Sequence, residues 1–268
     1  MDPRQRALVD AVADQLAPLE NLLFITGAGI SVDSGLPTYR GVGGLYDGVD
    51  TEEGLPIEVV LSGPYFQAHP DRCWKYLRQI GDACRGAKPN AAHLRIVELE
   101  RARARVVTLT QNVDGLHVAA GSQNVIAIHG DANALRCAHQ GRACDWSLRV
   151  TDYDELAQRF AGQAVPRCPS CGAVVRPDVV LFEELLPEAA VERLQTELRR
   201  GFDAVISIGT SALFPYIVAP VLEARRQCKL TVEINPGVTE VSEFVDFHLQ
   251  LGAAEAMDAL VERILGGD

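Results

Sequence analysis

A surplus of positive charge is the first thing this chain lacks: 25 lysines and arginines face 36 aspartates and glutamates over 268 residues, a formal net charge of -11. Proteins that hold nucleic acid need basic surfaces to displace counterions from phosphates, so no nucleic-acid partner is expected. Long hydrophobic runs are missing too. The longest, such as residues 204–208, are strand length, far short of the roughly 20 residues that cross a bilayer, and no membrane partner is expected. Residues 1–10 are polar and charged with no apolar signal core, which points to a cytoplasmic location. Seven cysteines, an odd number, in a chain not marked for export argue for thiols or metal ligands rather than a disulfide framework. Cys73, Cys84 and Cys228 lie in apolar or helical contexts and read as packing residues. Internal repeats and low-complexity tracts are also missing.

What is present is alternation. Leu8, Val9, Val12, Leu16 and Leu19 recur at helical spacing, and the apolar run 22–25, bounded by Gly27, suits a buried strand. Further strands are predicted at 105–110, 125–128, 203–208, 230–234 and 247–251, with helical patterns between several of them. Residues 91–103 read as a helix capped by Asn90. The order predicts an α/β fold, a Rossmann-like parallel sheet with helices on both faces. Two stretches break it: 41–63, rich in glycine and acid, reads as a mobile loop, and 136–177 carries four cysteines with little helical periodicity. The expected division is therefore a sheet domain of residues 1–40, 86–130 and 178–268, and a smaller inserted lobe of 41–85 and 131–177.

Gly27-Ala28-Gly29 follows the first predicted strand, where backbone amides can meet a ligand's phosphates. Val32 stands in place of the third glycine of the dinucleotide fingerprint, so this turn alone suits a plain tight connection equally well. The chain continues Ile30-Ser31-Val32-Asp33-Ser34-Gly35-Leu36-Pro37-Thr38-Tyr39-Arg40-Gly41, and an arginine just beyond a phosphate turn can reach a pyrophosphate or ribose. Thr110-Gln111-Asn112-Val113-Asp114-Gly115-Leu116-His117 follows the second strand, at the carboxyl edge where open sheets bind ligands. His129 ends another strand, and a histidine near its ordinary pKa of about 6.5 serves as a base close to neutral pH. Gly209-Thr210-Ser211 and Asn235 end two later strands. A hydride-transfer enzyme would close its second strand with an acid that holds the adenosine ribose, whereas this strand ends Thr110-Gln111-Asn112. A hydride-transfer enzyme is thus not expected.

Together these motifs, over residues 22–253, resemble the sirtuin family of the bacterial type. The resemblance implies an NAD-dependent protein lysine deacylase, which releases nicotinamide and transfers the acyl group of an acylated-lysine protein or peptide to ADP-ribose. It implies that His129 is the general base, that Asn112 orients the ribose and a water, that Asp114 with Ile30 recognises the nicotinamide carboxamide, and that Gln111 lies against the ribose. By the same resemblance Gly27, Ala28, Gly29, Thr38, Tyr39 and Arg40 hold the phosphates and the nicotinamide side. Gly209, Thr210, Ser211, Asn235 and Ala253 hold the adenosine half. Thr38-Tyr39 replaces the family's more frequent Asp-Phe. His93 and His117 also match family positions and read as packing and hydrogen-bonding residues. Protein ADP-ribosyltransfer, or a non-catalytic NAD or ADP-ribose sensor, would use the same cleft; a pure sensor needs no base at the scissile side.

Cys168-Pro169-Ser170-Cys171 is a Cys-x-x-Cys knuckle, half of a tetrahedral zinc site. Cys137 and Cys144 are separated by six intervening residues where many sirtuins have a second knuckle, with Gln140 in the expected place. A longer excursion can still return a thiolate, and His139 is an alternative ligand; the expected set is Cys137, Cys144, Cys168 and Cys171 around one structural zinc. Residues 176–184 resemble the segment with which sirtuins grip a peptide by strand addition, with Val180 and Phe182 lining the acyl-lysine tunnel and Glu183 standing where the family usually has glycine. Aligned on its tryptophan, the helix containing Cys73-Trp74-Lys75-Tyr76-Leu77-Arg78-Gln79-Ile80 puts Leu77 and Ile80 where sirtuins that remove acidic acyl groups carry Tyr and Arg. A shift of one residue would put Tyr76 and Gln79 there instead.

Overall fold

The computed structural model describes residues 1–38, 51–84, 86–139, 144–149, 163 and 165–266. A first helix, α1 (Pro3–Leu16), starts on Asp2, whose carboxylate accepts the amides of Arg4 and Gln5, and leads into β1 (Asn21–Thr26). Leu22, Leu23, Phe24 and Ile25 of β1 are all at most 1% exposed, each worth roughly 1.5–3 kcal/mol of burial, which makes this strand the centre of the molecule. The remaining strands of its sheet are β2 (Arg105–Thr110), β3 (Val125–Ala127), β7 (Ala204–Ile208), β8 (Leu230–Ile234) and β9 (Phe247–Leu249). Every pairing is parallel and the order is β3-β2-β1-β7-β8-β9. This is the doubly wound order, in which chain direction across the sheet reverses between β1 and β7, and the crevice at that switch point is where such sheets bind ligands.

Helices cover both faces. On one side α1, α5 (Ala91–Ala102) and α9 (Ala253–Leu265) close a core that includes Val12, Phe24, Ile96, Ile206 and Leu260. On the other, α7 (Glu188–Arg200) and α8 (Pro215–Arg226) pack Leu194, Ile217 and Val221 onto Leu23, Ile25 and Val205. Asn90 caps α5 as expected, its side chain accepting the Ala92 amide while His93 Nδ1 takes the Asn90 amide. The Asn90 side-chain amide also donates to Ile30 O at 2.7 Å and Ser34 Oγ at 3.0 Å, tying α5 to the turn after β1.

A third apolar cluster lies apart from these two. It joins α2 (Ile57–Val60), α3 (Gly63–Ala68) and α4 (Pro70–Cys84) to an antiparallel sheet of β5 (Ser147–Arg149), β4 (Gly130–Cys137) and β6 (Val175–Val179), through Phe66, Trp74, Leu135 and Val175. The loop expected at 41–63 differs from this: α2 falls inside it, and residues 39–50 lie outside the described ones. Among the described residues no helix is long and apolar enough to cross a membrane.

Candidate active site

Two loops interlock at the switch point. The amide of Gly29 donates to Gly209 O at 2.8 Å, and that of Gly27 to Ile208 O at 3.1 Å. A Cβ on Gly29 would lie 2.6 Å from the Gly209 Cα, and Gly209 itself sits at φ +58 with a Cβ that would meet Gly29 backbone at 2.5 Å. Only glycine permits main chain to touch main chain in this way. The paired loops floor a cleft of about 1050 Å³, large enough for a dinucleotide together with part of a second substrate.

Most of the sequence-assigned residues meet there. Gly27, Ala28, Gly29 and Thr38 line one stretch of the cleft, Gln111, Asn112 and His129 another, Gly209, Thr210, Ser211, Asn235 and Ala253 a third, and Val180 and Phe182 the opposite wall. Tyr39 and Arg40 lie outside the described residues. Ile30 turns away: its side chain is fully buried in the sheet's core, and its amide and carbonyl bond to Gly27 O and the Asn90 side chain. Asp114 lines a small side pocket of about 30 Å³ with Ala28, Ser31, Pro37 and Asn112.

The polar groups around that side pocket form a relay. Asn112 Nδ2 donates to Gly27 O at 3.0 Å and to Ser31 Oγ at 3.2 Å, and Ser31 Oγ donates to Asp114 Oδ2 at 2.8 Å. Asp114 Oδ1 accepts the Leu116 amide at 2.9 Å. Burial pushes the Asp114 carboxyl above its ordinary value, against the opposing pull of these hydrogen bonds. Ser31 was not singled out by the sequence, although its place two residues past Gly29 puts it beside any ligand of that turn.

His129 is fixed from both sides. Its Nδ1 lies 3.0 Å from the Gln111 carbonyl, which can only accept, so Nδ1 carries the proton and Nε2 is the basic atom. Burial lowers its pKa, with the Gln111 bond opposing, and the ring is therefore neutral near pH 7. Nε2 lies 2.7 Å from Tyr216 Oη, a residue that also lines the cleft. Burial pushes the Tyr216 phenol up to about 12, so it stays protonated. The aromatic pair of Phe214-Pro215-Tyr216, stacked at 5.4 Å with 11° between planes, has its sequence signal in a proline that opens α8 after Gly-Thr-Ser and the connecting Ala212-Leu213-Phe214.

Residues 180–182 are tied by main-chain hydrogen bonds to residues on either side. Val180 N donates to His129 O, Phe182 N donates to Leu61 O, and Gly63 N donates to Phe182 O. Leu77 and Ile80 line the cleft, whereas Tyr76 bonds to Glu53 and to the Glu52 amide and Gln79 faces solvent. Of the two pairs, Leu77 and Ile80 are the ones that line the cleft.

All four expected cysteines come together, with their sulfurs within 4.8 Å of one another. Cys137 Sγ is 3.5 Å from Cys171 Sγ and Cys144 Sγ is 3.6 Å from Cys168 Sγ. Four sulfurs at about 2.3 Å from one zinc form a tetrahedron with edges of about 3.8 Å, so the cluster fits zinc with no open position. Cys168, which burial would raise, is held at about 7 by the amides of Ser170 and Cys171. His139 contributes its backbone amide to Cys137 Sγ at 3.4 Å and its ring is not in the cluster; Gln140 lies outside the described residues.

Comparison with known proteins places the chain in a family. The Sir2 family model matches residues 27–215, and the chain belongs to the Sir2 family. The NAD-dependent protein deacylase 2 of Pseudomonas aeruginosa is 49% identical over 258 residues, 96% of this chain and 97% of that protein. A Sir2 homologue mutant in complex with 2'-O-acetyl ADP ribose is similar with a TM-score of 0.81 at 32% identity, over 98% of this chain and 96% of its own. A Sir2 complex with p53 peptide and NAD+ is similar with a TM-score of 0.80 at 26% identity, over 94% of this chain and 96% of its own.

Proposed function

We propose that this chain is an NAD-dependent protein lysine deacylase whose general base is His129. The observation that carries the reading is the tautomer-fixed imidazole, with Nδ1 on the Gln111 carbonyl, in the same cleft as the glycine turns and the peptide wall. NAD, consumed as a substrate, supplies a ribose carbon that takes the acyl oxygen as nicotinamide leaves. The chain's own groups then have separate tasks. Asp114, Ser31 and Asn112 hold the nicotinamide side, His129 Nε2 accepts a proton from a ribose hydroxyl, and the segment of residues 176–184 grips the peptide in a sequence-tolerant way through those main-chain groups not already bonded to His129, Leu61, Gly63 and Glu184. Water then adds to the acyl carbon of the intermediate and displaces the lysine nitrogen, leaving free lysine and acyl-ADP-ribose.

The four cysteines would hold one zinc that staples β4 to the knuckle and takes no part in the chemistry. The two-lobe division, with residues 1–40, 86–130 and 178–268 carrying the nucleotide and 41–85 and 131–177 the insertion, has the support of separate apolar cores on the two sides. A cytoplasmic setting suits a thiolate cluster that must stay reduced. The test is His129→Ala, expected to lower deacylation at least about a hundredfold while NAD still binds; turnover at the parent rate would remove His129 from the mechanism.

A further inference from the structure

The basic atom of His129 is not open in this structure. With Nδ1 committed to Gln111 O, the neutral ring has one lone pair, on Nε2, and Tyr216 Oη stands 2.7 Å from it. The phenol is protonated and so is the donor in that bond. Its position is fixed by packing: the Tyr216 ring stacks on Phe214, and both rings meet the imidazole edge to face, at 5.9 Å and 5.8 Å. Tyr216 also lies in the first turn of α8, held by the loop that follows Gly209-Thr210-Ser211, so the element that bears on the nucleotide also bears on the base.

We propose that Tyr216 is a displaceable cap on His129: its hydroxyl occupies and orients Nε2 in the unliganded enzyme, and a ribose hydroxyl of the bound nucleotide must take its place before the base can act. Tyr216 is thus a positioning residue, and this reading rests on the assignment of His129 as base. One lone pair accepts one strong hydrogen bond, so the tyrosine and the ribose hydroxyl compete for it. The consequence is a cost on nucleotide binding that selects ligands able to donate at this point. ADP-ribose, which keeps the ribose hydroxyls, is a suitable probe.

The experiment is a double-mutant cycle on ADP-ribose affinity by calorimetry, using the parent, Tyr216→Phe, His129→Ala and the double variant. Phenylalanine keeps the ring on Phe214 and removes only the competing hydroxyl. Tyr216→Phe is expected to bind ADP-ribose about fivefold more tightly, the worth of one neutral hydrogen bond, and to lower the KM for NAD with it. In the His129→Ala background the same substitution is expected to change nothing. Unchanged or weaker binding in Tyr216→Phe, or a gain that persists without His129, would overturn the cap. So would a tenfold fall in kcat at unchanged affinity, which would mean that the tyrosine stays on the base through turnover. A second measurement uses the unmutated protein with tyrosine ring labels. The Tyr216 Cζ resonance is expected to move on saturation with ADP-ribose, and a resonance that stays put would contradict displacement. Failure of the base assignment has a separate signature, parent-level deacylation by His129→Ala.

Discussion

Arg176 and Glu184 form a two-pronged ion pair beside the Leu181–Phe182 turn, Nη1 to Oε1 at 2.5 Å and Nη2 to Oε2 at 2.9 Å. The arginine is 6% exposed and the glutamate 23%, and the guanidinium also stacks over Phe66 at 5.0 Å. Glu184 Oε2 accepts the Leu181 amide as well. Burial alone would raise the Glu184 carboxyl, but the guanidinium outweighs it and holds it below the usual range. The pair therefore fixes the turn that carries Leu181 and Phe182, linking a buried charge to the shape of the cleft.

Removing one partner leaves the other charge buried. Glu184→Ala is expected to lower stability by about 3 kcal/mol and to raise the KM for peptide more than that for NAD, because the turn it frees faces the peptide. Denaturant melts and separate KM titrations check this, and an equal rise in both constants would contradict the local role.

Glu183 has φ +64, in the left-handed region that side chains with a Cβ occupy at a cost of roughly 1–2 kcal/mol. That is the physical reason glycine suits this position. Glu183→Gly is expected to stabilise the protein by up to about 1 kcal/mol, since the freer unfolded chain offsets part of the relief, and to raise the thermal midpoint by about 2–4 °C. A lowered midpoint would show that the Glu183 side chain contributes a contact that outweighs the strain.

His93 and His117 are buried with their rings 4.9 Å apart. Burial lowers His93 to about 4, and burial with the neighbouring His93 lowers His117 to about 3. Both folded values lie below the unfolded value of about 6.5, so as pH falls the unfolded chain gains protons first. Stability is intact above about pH 6.5 and erodes below it, by up to about 1.4 kcal/mol per pH unit for each ring. Thermal midpoints measured from pH 7 to pH 5 are expected to fall, and less steeply in His93→Gln. A flat profile across that range would contradict the neutral pair.

Leu77 and Ile80 give the cleft an apolar wall, and the described residues that line the cleft include no lysine or arginine. An unpaired carboxylate buried there costs several kcal/mol, so succinyl-lysine is expected to be removed with an efficiency on the order of a hundredfold below acetyl-lysine, and butyryl-lysine without that penalty. Equal rates for succinyl and acetyl versions of one peptide would contradict this wall.

The central sheet was legible because fully buried parallel strands are unbroken apolar runs: 105–110 and 230–234 are the bounds of β2 and β8. The insertion was not. Its β6 contains Arg176-Pro177-Asp178 and β4 contains Asp131 and Asn133, so neither shows alternation, and α2 has four residues, too few for a helical period to appear. At the site, residues at strand ends could be named from motif order, and the irregular Cys137 and Cys144 spacing still closes on the knuckle. The Tyr216 contact with His129 spans 87 positions and has no local signature.

The most direct measurement follows nicotinamide and peptide mass when the pure protein meets NAD with and without an acetylated peptide. Nicotinamide release that depends on the peptide, matched one for one by loss of the acetyl group and appearance of acetyl-ADP-ribose, is the predicted result. Release without peptide loss of mass, ADP-ribose added to a protein, or no release at all would contradict a deacylase.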